Sequence, residues 1–111
     1  MVKLIIKNLK EVETAYKKEV EAIIEEKMDF YRNLFKKYDK DLVLEVIFNK
    51  SASTYSVSAS LDLKSKKVLI AEEDKDVVKA VRTLFNEFKK AVKRQYELER
   101  KDYEYKRKNR R

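Results

Sequence analysis

The stretch Thr54–Lys64, TYSVSASLDLK, decides the fold because it alternates without error between apolar and polar side chains. Successive side chains of a β-strand point to opposite faces, so this pattern predicts a strand with one face in the core and one in water. A sheet with one apolar face needs a second layer to cover it. The apolar members of the stretch are Tyr55, Val57, Ala59, Leu61 and Leu63.

Three further strands are expected around this one. Alternating apolar residues predict a strand over Asp41–Asn49, and Val2–Lys7, VKLIIK, is typical of a short β-branched first strand. The segment Lys64–Lys67, KSKK, is the expected turn, followed by a fourth strand at Val68–Ala71. A hairpin without Gly or Asn needs a longer loop or a less common geometry.

The first of two amphipathic helices is predicted between the first two strands. We expect it to start between Leu9 and Ala15, with Asn8 or Thr14 as N-cap, and to end near Asp39. Its outward positions mix both signs of charge, as an ordinary solvated face does. Its core-facing side chains are expected to be Tyr16, Val20, Ile23, Ile24, Met28, Tyr31, Leu34, Phe35 and Tyr38.

The second helix is predicted from Asp76 to Arg111, and only its first half carries an apolar stripe. The carboxylates of residues 72–76 favour the positive end of its dipole, and one aspartate can cap its free N–H groups. A helix of this length spans about 54 Å, whereas a strand of seven residues spans about 23 Å. We therefore expect the helix to leave the sheet at Tyr96.

The element order β-α-β-β-β-α predicts an α+β fold, a two-layer sandwich. Its four-stranded sheet would carry two helices on one face and a projecting C-terminal helix or tail. We expect a single α+β domain over residues 1–96, with a basic extension over residues 97–111.

The composition of the 111 residues excludes most enzyme chemistries. There is no Cys, His or Gly, which removes thiol nucleophiles, the commonest general base and glycine-rich phosphate loops. We expect no catalytic residues, metal or other cofactor, and no small-molecule substrate. No long apolar run indicates a membrane span or secretory signal, so a cytoplasmic location is expected.

Positive charge is concentrated at one end of the chain. Of the net charge of +8, residues 89–111 hold 11 Lys/Arg against 4 Asp/Glu, which leaves 17 against 16 for the rest. Such asymmetry indicates a polyanionic partner, nucleic acid first and an anionic membrane surface second. On the last helix, stepping 100° per residue places the following side chains opposite or beside the apolar stripe: Lys79, Arg82, Lys89, Lys90, Lys93 and Arg94.

These basic residues could either contact phosphates or form an ordinary solvated helix face. The outward face of the first helix carries both signs of charge and this one does not, and that contrast favours binding. The tail is either an RNA contact or a solubility tail. Tyr96, Tyr103 and Tyr105 would either stack on bases or cover the helix or a partner chain. Lys27, inside the first helix's apolar stripe, is interpreted from spacing alone as a snorkelling side chain.

Four segments together resemble the short ribosome hibernation-promoting factor family, also called ribosome-associated inhibitors or sigma-54 modulation proteins. They are MVKLIIKN at 1–8, EEKMDFYRNLF at 25–35, VLIAEEDKDVVKAVRTLF at 68–85 and KKAVKRQ at 89–95. They are similar to the family's opening strand, its helix ending in an aromatic pair, and its Ala-Glu-Glu entry into the last helix. The resemblance covers nearly the whole chain.

This resemblance implies a domain that binds rRNA in the decoding channel of the small ribosomal subunit, excludes mRNA and tRNA, and keeps ribosomes idle. Lys27, Lys90 and Arg94 fall at basic positions of the family. Departures are lysines where the family has hairpin glycines, and Arg82 and Asn86 where it has acids. The full set of expected rRNA contacts is Lys27, Lys79, Arg82, Lys89, Lys90, Lys93, Arg94, Arg100, Lys101, Lys106, Arg107 and Lys108.

Two alternatives stay open. A free double-stranded RNA-binding module shares the α-β-β-β-α order, although such modules usually have lysines where Asp74 and Asp76 precede this last helix. A protein-interaction module would dimerise through the tyrosine-bearing projecting helix. On the first hypothesis the free protein is expected to be a monomer.

Overall fold

Four strands form one mixed sheet in the order β1-β2-β3-β4. The computed structural model describes the backbone of residues 1–108 and the side chains of residues 1–101. β1 pairs in parallel with β2, and the other neighbours are antiparallel. The predicted strands are confirmed, and the fourth extends beyond the expected Val68–Ala71 in both directions. The strands are β1 (Val2–Lys7), β2 (Leu42–Ser51), β3 (Thr54–Asp62) and β4 (Lys67–Asp74).

One face of the sheet is apolar because the alternation of β3 is matched in register by its neighbours. Val46 lies opposite Ala59, and Ala59 lies opposite Ile70. The serines of β3 lie on the other face, where Ser60 is flanked by Glu45 and Leu69. On this face Ser60 is buried and Ser56 and Ser58 are half-buried.

The first helix is shorter than predicted. A 3₁₀ helix at Leu9–Glu11 follows Asn8, whose backbone is left-handed at φ 61°, a conformation that Asn tolerates well. α1 then spans Thr14–Leu34, so its start lies within the predicted range and its end comes before Asp39. Its N-cap is Glu13, whereas Asn8 is the N-cap of the 3₁₀ helix and Thr14 is the first residue of α1. The residues after Leu34 form turns, and Phe35 is still buried there.

The second helix, α2, spans Val77–Lys108. Asp76 caps it, because its Oδ1 accepts N–H groups from Val78 at 3.0 Å and Lys79 at 3.3 Å. The expectation that the whole acidic cluster lies at the helix entry was wrong. Residues 72–74 belong to β4 instead, since the strand continues to Asp74.

The core lies between the apolar sheet face and the two helices. Tyr31 of α1 packs against Phe85 and Phe88 of α2, with ring centroids 6.4 and 5.7 Å apart. All three are buried, and burial raises the pKa of the Tyr31 phenol well above its usual value. The described chain thus has two helices against one open four-stranded sheet, which confirms the predicted fold class.

α2 is too long for the sheet. Its 32 residues span about 48 Å, whereas the strands of 6 to 10 residues span about 20 to 33 Å. Contacts with the domain continue past Tyr96, where we expected the helix to leave, as far as Glu99, which bonds Tyr38 and Ser65. The boundary between a domain at 1–96 and an extension at 97–111 stays a prediction.

Candidate polyanion-binding surface

The basic face of α2 consists of exposed side chains on the side of the helix opposite the core. Phe88 and Val92, fully buried, fix the rotation of the helix, so the residues stepping away from them must face solvent. The face comprises Lys79, Arg82, Lys89, Lys90, Lys93 and Arg94, with Arg100 and Lys101 continuing it. The helix therefore brings together eight of the basic residues that the sequence singled out.

Four members of the face form one line along the helix. Arg82, Lys89, Lys93 and Arg100 recur at intervals of seven and four residues, which keeps them within about 20° of one direction. The line is about 27 Å long. Since these side chains project from a helix packed on the core, their spacing is set by the backbone.

Ion pairs neutralise part of the face and leave part of it uncompensated. Lys79 lies 3.9 Å from an Asp74 carboxylate oxygen, and Lys90 lies 3.6 Å from Glu87. Among the side chains that the structure describes, no carboxylate forms an ion pair with Arg82 or Lys93. Exposed pairs contribute little, so Lys79 and Lys90 remain available to a stronger anion.

Lys89 connects the basic face to the first helix. Its ammonium group lies 4.6 Å from the ring centroid of Phe30, which is half-buried on α1 and packs edge-on against Tyr31 at 5.1 Å. Lys27 precedes Phe30 by three residues and is also half-buried, so it lies on the same flank of α1. A role for Lys27 in the cationic surface stays a prediction.

Tyr96 does not present its ring for base stacking. It is half-buried, with its ring 5.0 Å from Phe35 and 5.7 Å from Tyr38, and the guanidinium of Arg100 lies 5.8 Å from its centroid. The remaining stacking and contact candidates, namely Tyr103, Tyr105, Lys106, Arg107 and Lys108, lie outside the residues whose side chains are described.

Sequence reasoning missed two residues of this region, Phe30 and Glu99. Phe30 was noticed only as part of an aromatic pair, and nothing in its spacing indicates a contact with α2. Glu99 had a usable signal, since it follows Val92 by seven residues and Gln95 by four. It therefore continues the core-facing side of α2 although it is an acid.

The surface supplies charge and hydrogen-bond donors. Over the described residues there is no group of three or more Asp and Glu side chains placed to hold a metal ion. Neither helix, in that same part of the chain, is both long enough and apolar enough to cross a bilayer. The fold and the site together define a small α+β domain with a cationic helix face, suited to a polyanionic ligand.

The structure is similar to a crystal structure of the N-terminal domain of Protein Y from Thermus thermophilus. The two chains are 25% identical with a TM-score of 0.56, over 83% of this chain and 93% of that one. This similarity confirms the resemblance to the ribosome hibernation and sigma-54 modulation family.

A ribosomal subunit interface protein from Coxiella burnetii is 14% identical, with a TM-score of 0.47, over 86% of this chain and 97% of that one. That second similarity is too distant to carry an argument. No protein-family profile and no curated protein sequence matches the chain.

Proposed function

We propose that this protein is a non-enzymatic ribosome-binding factor of the cytoplasm. Its basic face would contact rRNA in the decoding channel of the small subunit, exclude mRNA and tRNA, and hold ribosomes inactive under stress. The proposal is supported by the exposed cationic line on a helix anchored in the core, and by the likeness to Protein Y. The proposed contacts are Lys27, the basic face with Arg100 and Lys101, and Lys106, Arg107 and Lys108 of the tail.

Phosphate contacts explain why this surface has charge without reactive groups. Lys and Arg bind phosphate oxygens wherever the backbone comes close, and each contact releases counterions from the nucleic acid. The line from Arg82 to Arg100 covers about 27 Å, which is long enough to meet several phosphates. Such contacts position a protein but read no sequence, so recognition would come from the shape of the rRNA channel.

The experiment is cosedimentation with purified small subunits. The variant Lys89→Glu, Lys90→Glu, Lys93→Glu and Arg94→Glu reverses four charges of the basic face. We expect the parent to bind less tightly as salt rises and this variant to lose binding and inhibition of translation in an extract. Its fold is checked by circular dichroism. Unchanged binding by the variant would refute the proposal.

The same assay separates the two alternatives. A free double-stranded RNA binder would bind naked duplex RNA as tightly as it binds subunits. A dimerisation module would sediment as a salt-insensitive dimer that dissociates when residues 97–111 are removed. The proposed factor is expected to sediment alone as a monomer and to prefer subunits over naked duplex.

A further inference from the structure

Glu99 bonds the loop between β3 and β4. Its Oε2 accepts the hydroxyl of Ser65 at 2.6 Å and the Ser65 backbone N–H at 3.3 Å. Gln95, one turn earlier on α2, donates from Nε2 to the same Ser65 oxygen at 2.8 Å. The loop at residues 63–66 is therefore attached to the far half of α2.

The second oxygen of Glu99 reaches the turn that follows α1. Oε1 accepts the hydroxyl of Tyr38 at 2.6 Å, and the Tyr38 oxygen in turn accepts the backbone N–H of Lys64 at 2.9 Å. Hydrogen bonds to a carboxylate are about twice as strong as neutral ones. Glu99 thus joins three separate segments of the chain, and we call these residues the Glu99 network: Tyr38, Lys64, Ser65, Gln95 and Glu99.

Burial and charge in the network act on Tyr38. Its partial burial, followed by its hydrogen bond to Glu99, raises the pKa of the phenol to about 12. The phenol therefore stays protonated at neutral pH and keeps donating to the carboxylate. Beneath it, the rings of Phe35 and Tyr96 pack 5.0 Å apart.

The network lies where the sheet no longer supports the helix. Among the described side chains of α2, Val92 is the last that is fully buried, and Glu99 lies about 10 Å further along the axis. Arg100 and Lys101 follow directly. A helix attached at Glu99 presents these two side chains in a fixed direction, whereas one attached only as far as Tyr96 would be freer to bend or fray beyond it.

Burial and hydrogen bonding set Glu99 apart from its neighbour Glu97. Both acids reduce the positive potential of a cationic helix, yet Glu97 is exposed on the basic face and Glu99 is half-buried on the core-facing side. Of these two acids, only Glu99 accepts hydrogen bonds from Tyr38 and Ser65 within the described part of the chain. Glu97 is consequently a matched control, because its removal changes net charge equally.

We infer that Glu99 is a positioning residue, and that through Tyr38 and Ser65 it aligns the far half of α2 with the core. Arg100 is then held on the line of the basic face, with Lys101 beside it. The alignment is a property of the free protein, while its effect on rRNA binding rests on the proposed function.

The test measures the direction of the far half of α2 and the affinity for small subunits separately. Spin labels are attached at Glu21→Cys and Lys101→Cys, which are the sole labelling sites because the chain has no other cysteine. The distribution of distances between the two labels is recorded in the full-length protein. We expect a narrow distribution in the labelled parent and with Glu97→Ala, a broad one with Glu99→Ala, and partial recovery with Glu99→Gln, which keeps one acceptor oxygen. Circular dichroism confirms that each variant is folded.

Affinity for small subunits gives the second measurement. Glu97→Ala should bind at least as tightly as the parent, because it removes a negative charge. Glu99→Ala should bind about 5- to 8-fold more weakly than Glu97→Ala at about 0.1 M salt, the equivalent of one lost phosphate contact.

Each outcome decides a different claim. A narrow distribution in Glu99→Ala overturns the alignment, whatever the affinities are. If Glu99→Ala gives a broad distribution but binds subunits as tightly as Glu97→Ala, the alignment by Glu99 has no role in rRNA binding. If the parent itself binds no subunits, the proposed function fails, and the distance measurement still decides whether Glu99 aligns the helix.

Discussion

Neutralising Arg82 and Lys93 together is the sharpest perturbation of the proposed rRNA surface. Both are exposed on the same line of α2, and neither forms an ion pair among the described side chains. Changing them to Gln removes two charges without breaking a contact that stabilises the fold. The matched control is Lys10→Gln with Lys18→Gln, which removes two exposed charges elsewhere.

The expected magnitude follows from counterion release. Each phosphate contact contributes about 0.7 to 0.9 to the slope of log K against log salt, the lower value being for single strands. Losing two contacts should therefore reduce the slope by about 1.4 to 1.8. Affinity should fall about 25- to 60-fold at about 0.1 M salt, and only about 5- to 9-fold at about 0.3 M.

The assay is subunit cosedimentation at a series of salt concentrations. The double variant should have a shallower slope than the parent, and the two lines should converge as salt rises. The control should keep the parent's slope. If the double variant keeps the parent's slope, or if the control loses as much slope as the double variant, Arg82 and Lys93 do not make the proposed phosphate contacts.

Three smaller predictions concern single residues. Phe30→Leu removes the ring under Lys89 and should weaken subunit binding about 2- to 5-fold, whereas Phe30→Tyr should not; the same cosedimentation measures both. Phe88→Ala should lower the free energy of unfolding in urea by about 3 to 5 kcal/mol, and Leu98→Ala, at an exposed site, by less than about 0.5. The pKa of Tyr38 is raised from 10 to about 12 in the folded protein. The contribution of the neutral phenol to the free energy of unfolding is therefore fully present below pH 10 and is lost as the pH rises to about 12. Tyr38→Phe should therefore lose less stability than the parent in that interval, as measured by urea denaturation; an identical loss would contradict the assignment.

Helix ends were harder to predict than helix interiors. The apolar stripe of the first helix continues to Tyr38, yet the helix ends at Leu34. Phe35 and Tyr38 reach the core from the turns that follow the helix, where their rings pack on Tyr96. An apolar side chain shows that a residue is buried, and it does not show which backbone conformation buries it. The acidic cluster misled for a similar reason, since carboxylates at 72–74 are compatible with an edge strand as well as with a helix entry.

The sequence by itself determined the order of strands and helices, the face each one buries, and the concentration of positive charge near the C-terminus. Periods of 2 and 3.6 residues and runs of charge are local properties, so a single chain displays them directly. Only the tertiary structure decided that Lys89 lies on Phe30 and that Glu99 binds Tyr38 and Ser65. Tyr38 and Ser65 are 61 and 34 residues from Glu99 along the chain, and contacts at that separation depend on how α1, the β3–β4 loop and α2 meet in space.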